Sequence, residues 1–186
     1  MASLDMPDSS EVKNFFMLLK EHNIIPSVAK DPKDAIALIQ ALMTHQAKRV
    51  YAYDWEVIEA GPSYKKLLNE ILSYARPEAA KAQIVVKDSF YDWDTKRAGI
   101  TLSIAGETYS RDWEQDGDGV TPEFMDEVLR GLVEPALGGE FIEFPNTDVS
   151  SYELWMLFPN SIVPQVKSFL SRCDDEYGPD EEEEAR

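Results

Sequence analysis

At about residue 82 the hydrophobic period of this chain switches from helical to extended. That switch limits the fold more than any other feature. Residues 1–80 carry apolar side chains three and four positions apart, whereas from Ile84 onward they alternate. Because helical stretches return later, neither an all-helical nor an all-strand fold suits the chain. The pattern predicts an α+β protein: a mainly helical N-terminal part, then an antiparallel sheet of about five strands covered by helices.

In the first part, Ser9 or Ser10 is placed to cap a helix bearing Val12, Phe15, Phe16 and Leu19, and Asn23-Ile24-Ile25-Pro26 ends it. Asp31-Pro32 reads as a cap followed by proline at the first helical position, opening a helix with Ile36, Ile39, Leu42 and Met43. Arg49 to Tyr53 reads as a short strand. Gly61-Pro62-Ser63 precedes a third helix carrying Tyr64, Leu67, Leu68, Ile71 and Leu72, which Arg76-Pro77 is expected to stop.

In the second part, Ile84-Val85-Val86 starts a strand running toward Tyr91. Ile100, Leu102 and Ile104 alternate with Thr101 and Ser103 in the next strand. After a turn at Gly106, Tyr109, Arg111 and Trp113 alternate in a third. Thr121-Pro122-Glu123 opens a helix bearing Phe124, Val128, Leu129 and Leu132, which Gly138-Gly139 ends. Two more strands, Phe141–Phe144 and Tyr152–Phe158, precede a last helix with Ile162, Val166, Phe169 and Leu170. The expected division is a helical subdomain 1–80, an α+β subdomain 81–173 and an acidic disordered tail 174–186.

Charge divides the chain at the same place. The formal net charge is -17, from 35 acidic and 18 basic residues, and most of the excess lies beyond residue 80. A folded region this negative repels nucleic acid and anionic membrane and attracts basic proteins. Hydrophobic residues make up 44%, enough for a packed core. Cys173 is the one cysteine, so no intramolecular disulfide forms. The N-terminus lacks the basic-then-apolar pattern of a signal peptide, and no apolar run has the length of a membrane span. A cytoplasmic location is expected.

Two constellations stand out. Asp112, Glu114, Asp116, Gly117 and Glu123 fall at positions 1, 3, 5, 6 and 12 of a calcium-binding EF-hand loop. Hard oxygen ligands, a turn glycine and a closing carboxylate suit that metal. Against this stand the long Glu114 at position 3, Gly119 where an apolar residue is usual, and a strand-like segment where a helix is needed. The other reading is an ordinary strand-to-helix loop. The second constellation is Tyr91-Asp92-Trp93-Asp94 with Asp112-Trp113-Glu114 on a neighbouring strand. Aromatics interleaved with carboxylates suit a protein-binding face: the rings supply contact area and the acids pair with Arg and Lys of a partner. Trp93 or Trp113 packing into the core is the competing reading. Trp55, in Tyr53-Asp54-Trp55-Glu56, repeats the mixture.

Little else carries chemistry. His22 and His45 sit at expected helix ends, no serine has a nucleophile-elbow context, and Gly117 and Gly119 lie among carboxylates that would repel a phosphate. No cofactor is expected.

The run Gly99-Ile100-Thr101-Leu102, Gly106-Glu107-Thr108-Tyr109, Phe124, Val128-Leu129, Leu132, Glu140-Phe141-Ile142-Glu143-Phe144 and Tyr152 to Pro159 resembles the immunity proteins of bacterial polymorphic toxin systems. The resemblance covers residues 98–158 and lies in their strand–strand–helix–strand–strand layout. It implies a small cytoplasmic α+β protein that binds a cognate toxin, often a nuclease, without catalysis. The expectation is therefore a non-enzymatic inhibitor of a basic protein toxin. Its contacts would come from Asp92, Asp94, Asp112, Glu114, Asp116 and Asp118, with Trp93 and Trp113 as anchors. Two alternatives remain open: an acidic DNA mimic that binds DNA-binding proteins, and a calcium module using Asp112, Glu114, Asp116 and Glu123.

Overall fold

The computed structural model describes residues 7–46, 48–53, 58, 61–144 and 153–173. The first six residues, Trp55, Tyr152 and the acidic tail from 174 onward lie outside the described residues. The chain divides into two compact units, Met1–Lys48 with Ser161–Arg186, and Arg49–Asn160. The division expected near residue 80 falls inside the second unit, because Tyr51, Ile58, Tyr64, Leu68, Ile71 and Ala79 join the core formed by the strands that follow.

The first unit contains α1 (Ser9–Glu21), α2 (Ala35–His45) and α6 (Val163–Leu170). Asp8, rather than Ser9 or Ser10, caps α1. Its Oδ1 accepts from the backbone N–H groups of Ser10 (2.7 Å) and Glu11 (2.9 Å). The Asp8 N–H in turn donates to Glu11 Oε2 at 2.8 Å, closing a capping box. Asp34, rather than Asp31, caps α2, while Asp31 lies 3.6 Å from Lys20 Nζ. Phe15 of α1 stacks on Phe169 of α6 with ring centroids 4.2 Å apart, and Arg172 pairs with Glu11 beside them.

The second unit contains β1 (Val50–Tyr53), α3 (Ser63–Tyr74), α4 (Arg76–Lys81), β2 (Val85–Asp92), β3 (Arg97–Ile104) and β4 (Glu107–Glu114). A wide π-type helix, Phe124–Val133, then tightens into α5 (Glu134–Leu137), followed by β5 (Gly139–Phe144) and β6 (Glu153–Pro159). The structure is thus α+β, but its strands form two sheets rather than one of about five strands. The antiparallel orders are β1-β6-β5 and β2-β3-β4. β1, counted by sequence with the helical part, pairs along β6 with Val50 opposite Met156. α3 ends at Tyr74, ahead of Arg76-Pro77 as expected, and a further short helix follows. The chain breaks at Ala75 and restarts with Pro77 in the first turn of α4, where proline's missing N–H costs nothing. Gly138, at φ 70°, closes α5 in the left-handed conformation that glycine adopts without strain.

In the sheet β2-β3-β4 the alternation sorts side chains between two faces. Val86, Tyr91, Ala98, Ile100, Leu102 and Trp113 point into the core with Tyr64, Leu68 and Ile71 of α3 and Phe124, Val128 and Leu129 of the π-helix. Asp88, Phe90, Asp92, Gly99, Thr101, Ser110, Asp112 and Glu114 share the opposite face by register. Fully burying one Leu or Phe contributes about 2 kcal/mol, so a one-residue slip of this register would forfeit most of the core.

Candidate functional site

The β2–β3 turn and the loop leaving β4 lie at the same end of this sheet. Antiparallel register puts Asp92 opposite Arg97, and Arg97 opposite Glu114. The Gln115 N–H donates to the Lys96 carbonyl at 2.9 Å, and Lys96 Nζ reaches Asp116 at 3.0 Å. Asp92, Asp94, Asp112, Glu114, Asp116 and Asp118 are all exposed here. Against these six carboxylates stand Lys96 and Arg97, and Arg97 is committed to Asp112. The end of the sheet is therefore strongly negative.

Each turn is shaped by its own residues. Asp92 Oδ1 accepts the backbone N–H of Asp94 at 2.9 Å and that of Thr95 at 3.4 Å, an Asx-type turn that orients Trp93 and Asp94. Hydrogen bonding from Thr95 and then from the Asp94 N–H holds the Asp92 carboxyl below its ordinary range, so it stays ionised at neutral pH. Trp93 is 49% exposed, with its ring 4.6 Å from that of Tyr91.

The loop 115–121 is built around a residue the sequence reading passed over. Gln115 is fully buried. Its Oε1 accepts the Tyr64 hydroxyl at 2.6 Å and the Trp113 indole N–H at 3.4 Å. Its Nε2 donates to the Gly117 carbonyl at 2.9 Å and to the Gly119 carbonyl at 2.8 Å. The Tyr91 hydroxyl also donates to Gly117 O at 2.9 Å, and the Thr121 N–H donates to the Tyr64 oxygen at 3.3 Å. Burial pushes the Tyr64 and Tyr91 hydroxyls above their ordinary pKa, Tyr91 with help from nearby Asp116, so both remain protonated donors. A signal for Gln115 existed: it continues the alternation of Arg111 and Trp113 onto the inner face.

Two expectations are corrected here. Trp113 is 5% exposed and meets the Tyr64 ring edge-on at 4.8 Å, so it anchors the core and offers no surface to a partner. The EF-hand reading of Asp112, Glu114, Asp116 and Glu123 also fails on geometry. Asp112 and Glu114 lie within β4, where an EF-hand needs a loop that follows a helix. Asp112 is paired with Arg97. The carbonyl of Asp118, which position 7 of such a loop would turn toward the metal, accepts the Ile58 N–H at 3.0 Å. Among the described residues no three His, Cys, Asp or Glu side chains converge as metal ligands.

Fold and site together define an α+β protein that displays, among the described residues, a carboxylate-rich sheet end with the exposed Trp93. None of its described helices is long and apolar enough to cross a membrane. Compared with protein-family models, with curated proteins and with solved structures, the chain has no match.

Proposed function

We propose that this chain is a non-enzymatic inhibitor, of the immunity-protein kind, that binds a basic toxin domain through the acidic end of β2-β3-β4. The observation that carries the reading is the gathering of Asp92, Asp94, Glu114, Asp116 and Asp118 at the sheet end that also displays the exposed Trp93, where Lys96 and Arg97 are the basic residues of the two turns. Such a surface steers a basic partner and offers an aromatic contact beside the acids. The loop that displays Asp116 and Asp118 is pinned from within, so little ordering is lost when a partner binds.

The test is capture of partners from native lysate on the tagged full chain at low salt. A variant carrying Asp92→Asn, Asp94→Asn, Glu114→Gln, Asp116→Asn and Asp118→Asn is run beside it. Asp112 is left intact because it pairs with Arg97. One stoichiometric basic toxin, lost by the variant, with association slowed about tenfold or more at high salt, supports the proposal. Capture of several unrelated DNA-binding proteins would instead make the chain a DNA mimic. A toxin retained in full by the variant would remove the acidic end from the mechanism.

A further inference from the structure

The open face of β2-β3-β4 holds a second feature beside the acidic end. Phe90, 47% exposed, lies across β3 at Gly99. A side chain at residue 99 would have no room: its Cβ would come within 2.6 Å of Phe90 Cε1 and 2.8 Å of the Arg111 carbonyl oxygen. The glycine therefore leaves room for the ring over β3. A shallow groove of about 340 Å³ runs beside it, lined by Asp88, Asp112, Thr101, Ser110 and Arg111, the last of which faces Glu127 at 3.7 Å. Phe90 and Asp92 are two apart on β2, and Asp112 and Glu114 two apart on β4, so this face runs without interruption into the acidic end.

Charge says what covers it. Asp88 holds only its neighbour's backbone N–H, that of Ser89 at 2.9 Å. Asp112 already receives one guanidinium, that of Arg97, which shows that the face accommodates arginine. An exposed aromatic ring in a groove lined by Asp88 and Asp112 fits a guanidinium stacked on the ring and paired at its edge. The charge is wrong for a second copy of this acidic chain.

We infer that the outer face of β2-β3-β4, centred on Phe90 over Gly99, docks an arginine-bearing segment of a basic protein partner. This rests on the functional reading above and extends the interface from the acidic end onto the sheet.

The test uses a synthetic peptide alternating arginine and serine, titrated into the isotope-labelled full chain and followed by backbone amide NMR shifts. Shifts at Ser89–Tyr91, Ala98–Thr101 and Ser110–Asp112, with affinity falling about fivefold in Phe90→Ser, support the inference. The half-exposed Phe90 leaves room for a folded variant, and Asp88→Asn, which keeps the ring, should weaken binding in the same direction. Shifts confined to residues 92–96 and 114–118, unchanged by Phe90→Ser, would overturn the docking face while leaving the acidic-end reading in place. No shifts anywhere would overturn both.

Discussion

The Tyr64 hydroxyl donates to Gln115 Oε1 across 2.6 Å of buried space, joining α3 to the loop that leaves β4. Through that one amide the core side chain of a helix sets the shape of an exposed acidic loop, because the other end of Gln115 holds the carbonyls of Gly117 and Gly119.

Truncating Gln115 should therefore be costly. Gln115→Ala leaves the Tyr64 hydroxyl, the Trp113 N–H and a cavity without partners, and a loss of about 3 kcal/mol is expected. Tyr64→Phe keeps the ring packing and loses only the hydroxyl, so about 1–2 kcal/mol is expected. Urea unfolding of both variants checks the order. Equal, small losses would show that the network does not hold the loop.

Gly99 admits no substitution without movement of backbone. Gly99→Ala should cost about 2 kcal/mol, since the Arg111 carbonyl oxygen belongs to the β4 ladder and cannot swing aside as the Phe90 ring can. The double variant Gly99→Ala with Phe90→Ser should recover only part of the loss. Full recovery in thermal unfolding would place the whole clash on the ring.

The pair Glu11–Arg172 ties α1 to the residues after α6, and hydrogen bonding from Arg172 depresses the Glu11 carboxyl below its ordinary value. In the unfolded chain Glu11 takes up its proton at that ordinary value, so the stabilisation is present above it and is lost as pH falls through the lower folded value. Arg172→Ala should thus flatten the acid limb of stability against pH, measured by urea midpoints at successive pH values from about 6 to 3. An unchanged acid limb would mean the pair contributes nothing.

Calcium should leave thermal stability where it is. A folded state that bound the ion through Asp112–Glu123 would be stabilised by about 2.7 kcal/mol at a hundredfold excess over its dissociation constant. A flat melting temperature across a calcium titration is expected from the way Arg97 and the Ile58 N–H already occupy those oxygens. A rise of several degrees would reinstate the metal.

Much of the local structure was legible from residue order. Helical spacing marked α1, α2, α3 and α6, alternation marked β3 and β4, and Gly138 ended α5, because burial on one side of an element imposes its period on the sequence. The caps slipped by a few residues. Asp8 and Asp34 took the places given to Ser9 or Ser10 and Asp31, since any short polar side chain can cap and backbone geometry selects among neighbours.

The sequence by itself determined the element types, the charge asymmetry and the acids of the Asp92–Asp118 stretch, all of which follow from side-chain identity and local spacing. Only the tertiary structure decided that β1 joins β6, that the strands split into two sheets, and that Trp113 is buried where Trp93 is exposed. It also decided that Gln115 is the centre of the loop and that Phe90 rests on Gly99. Those outcomes depend on which distant residues meet, and the energy that selects them, burial of one face against a particular neighbour, has no counterpart in local spacing.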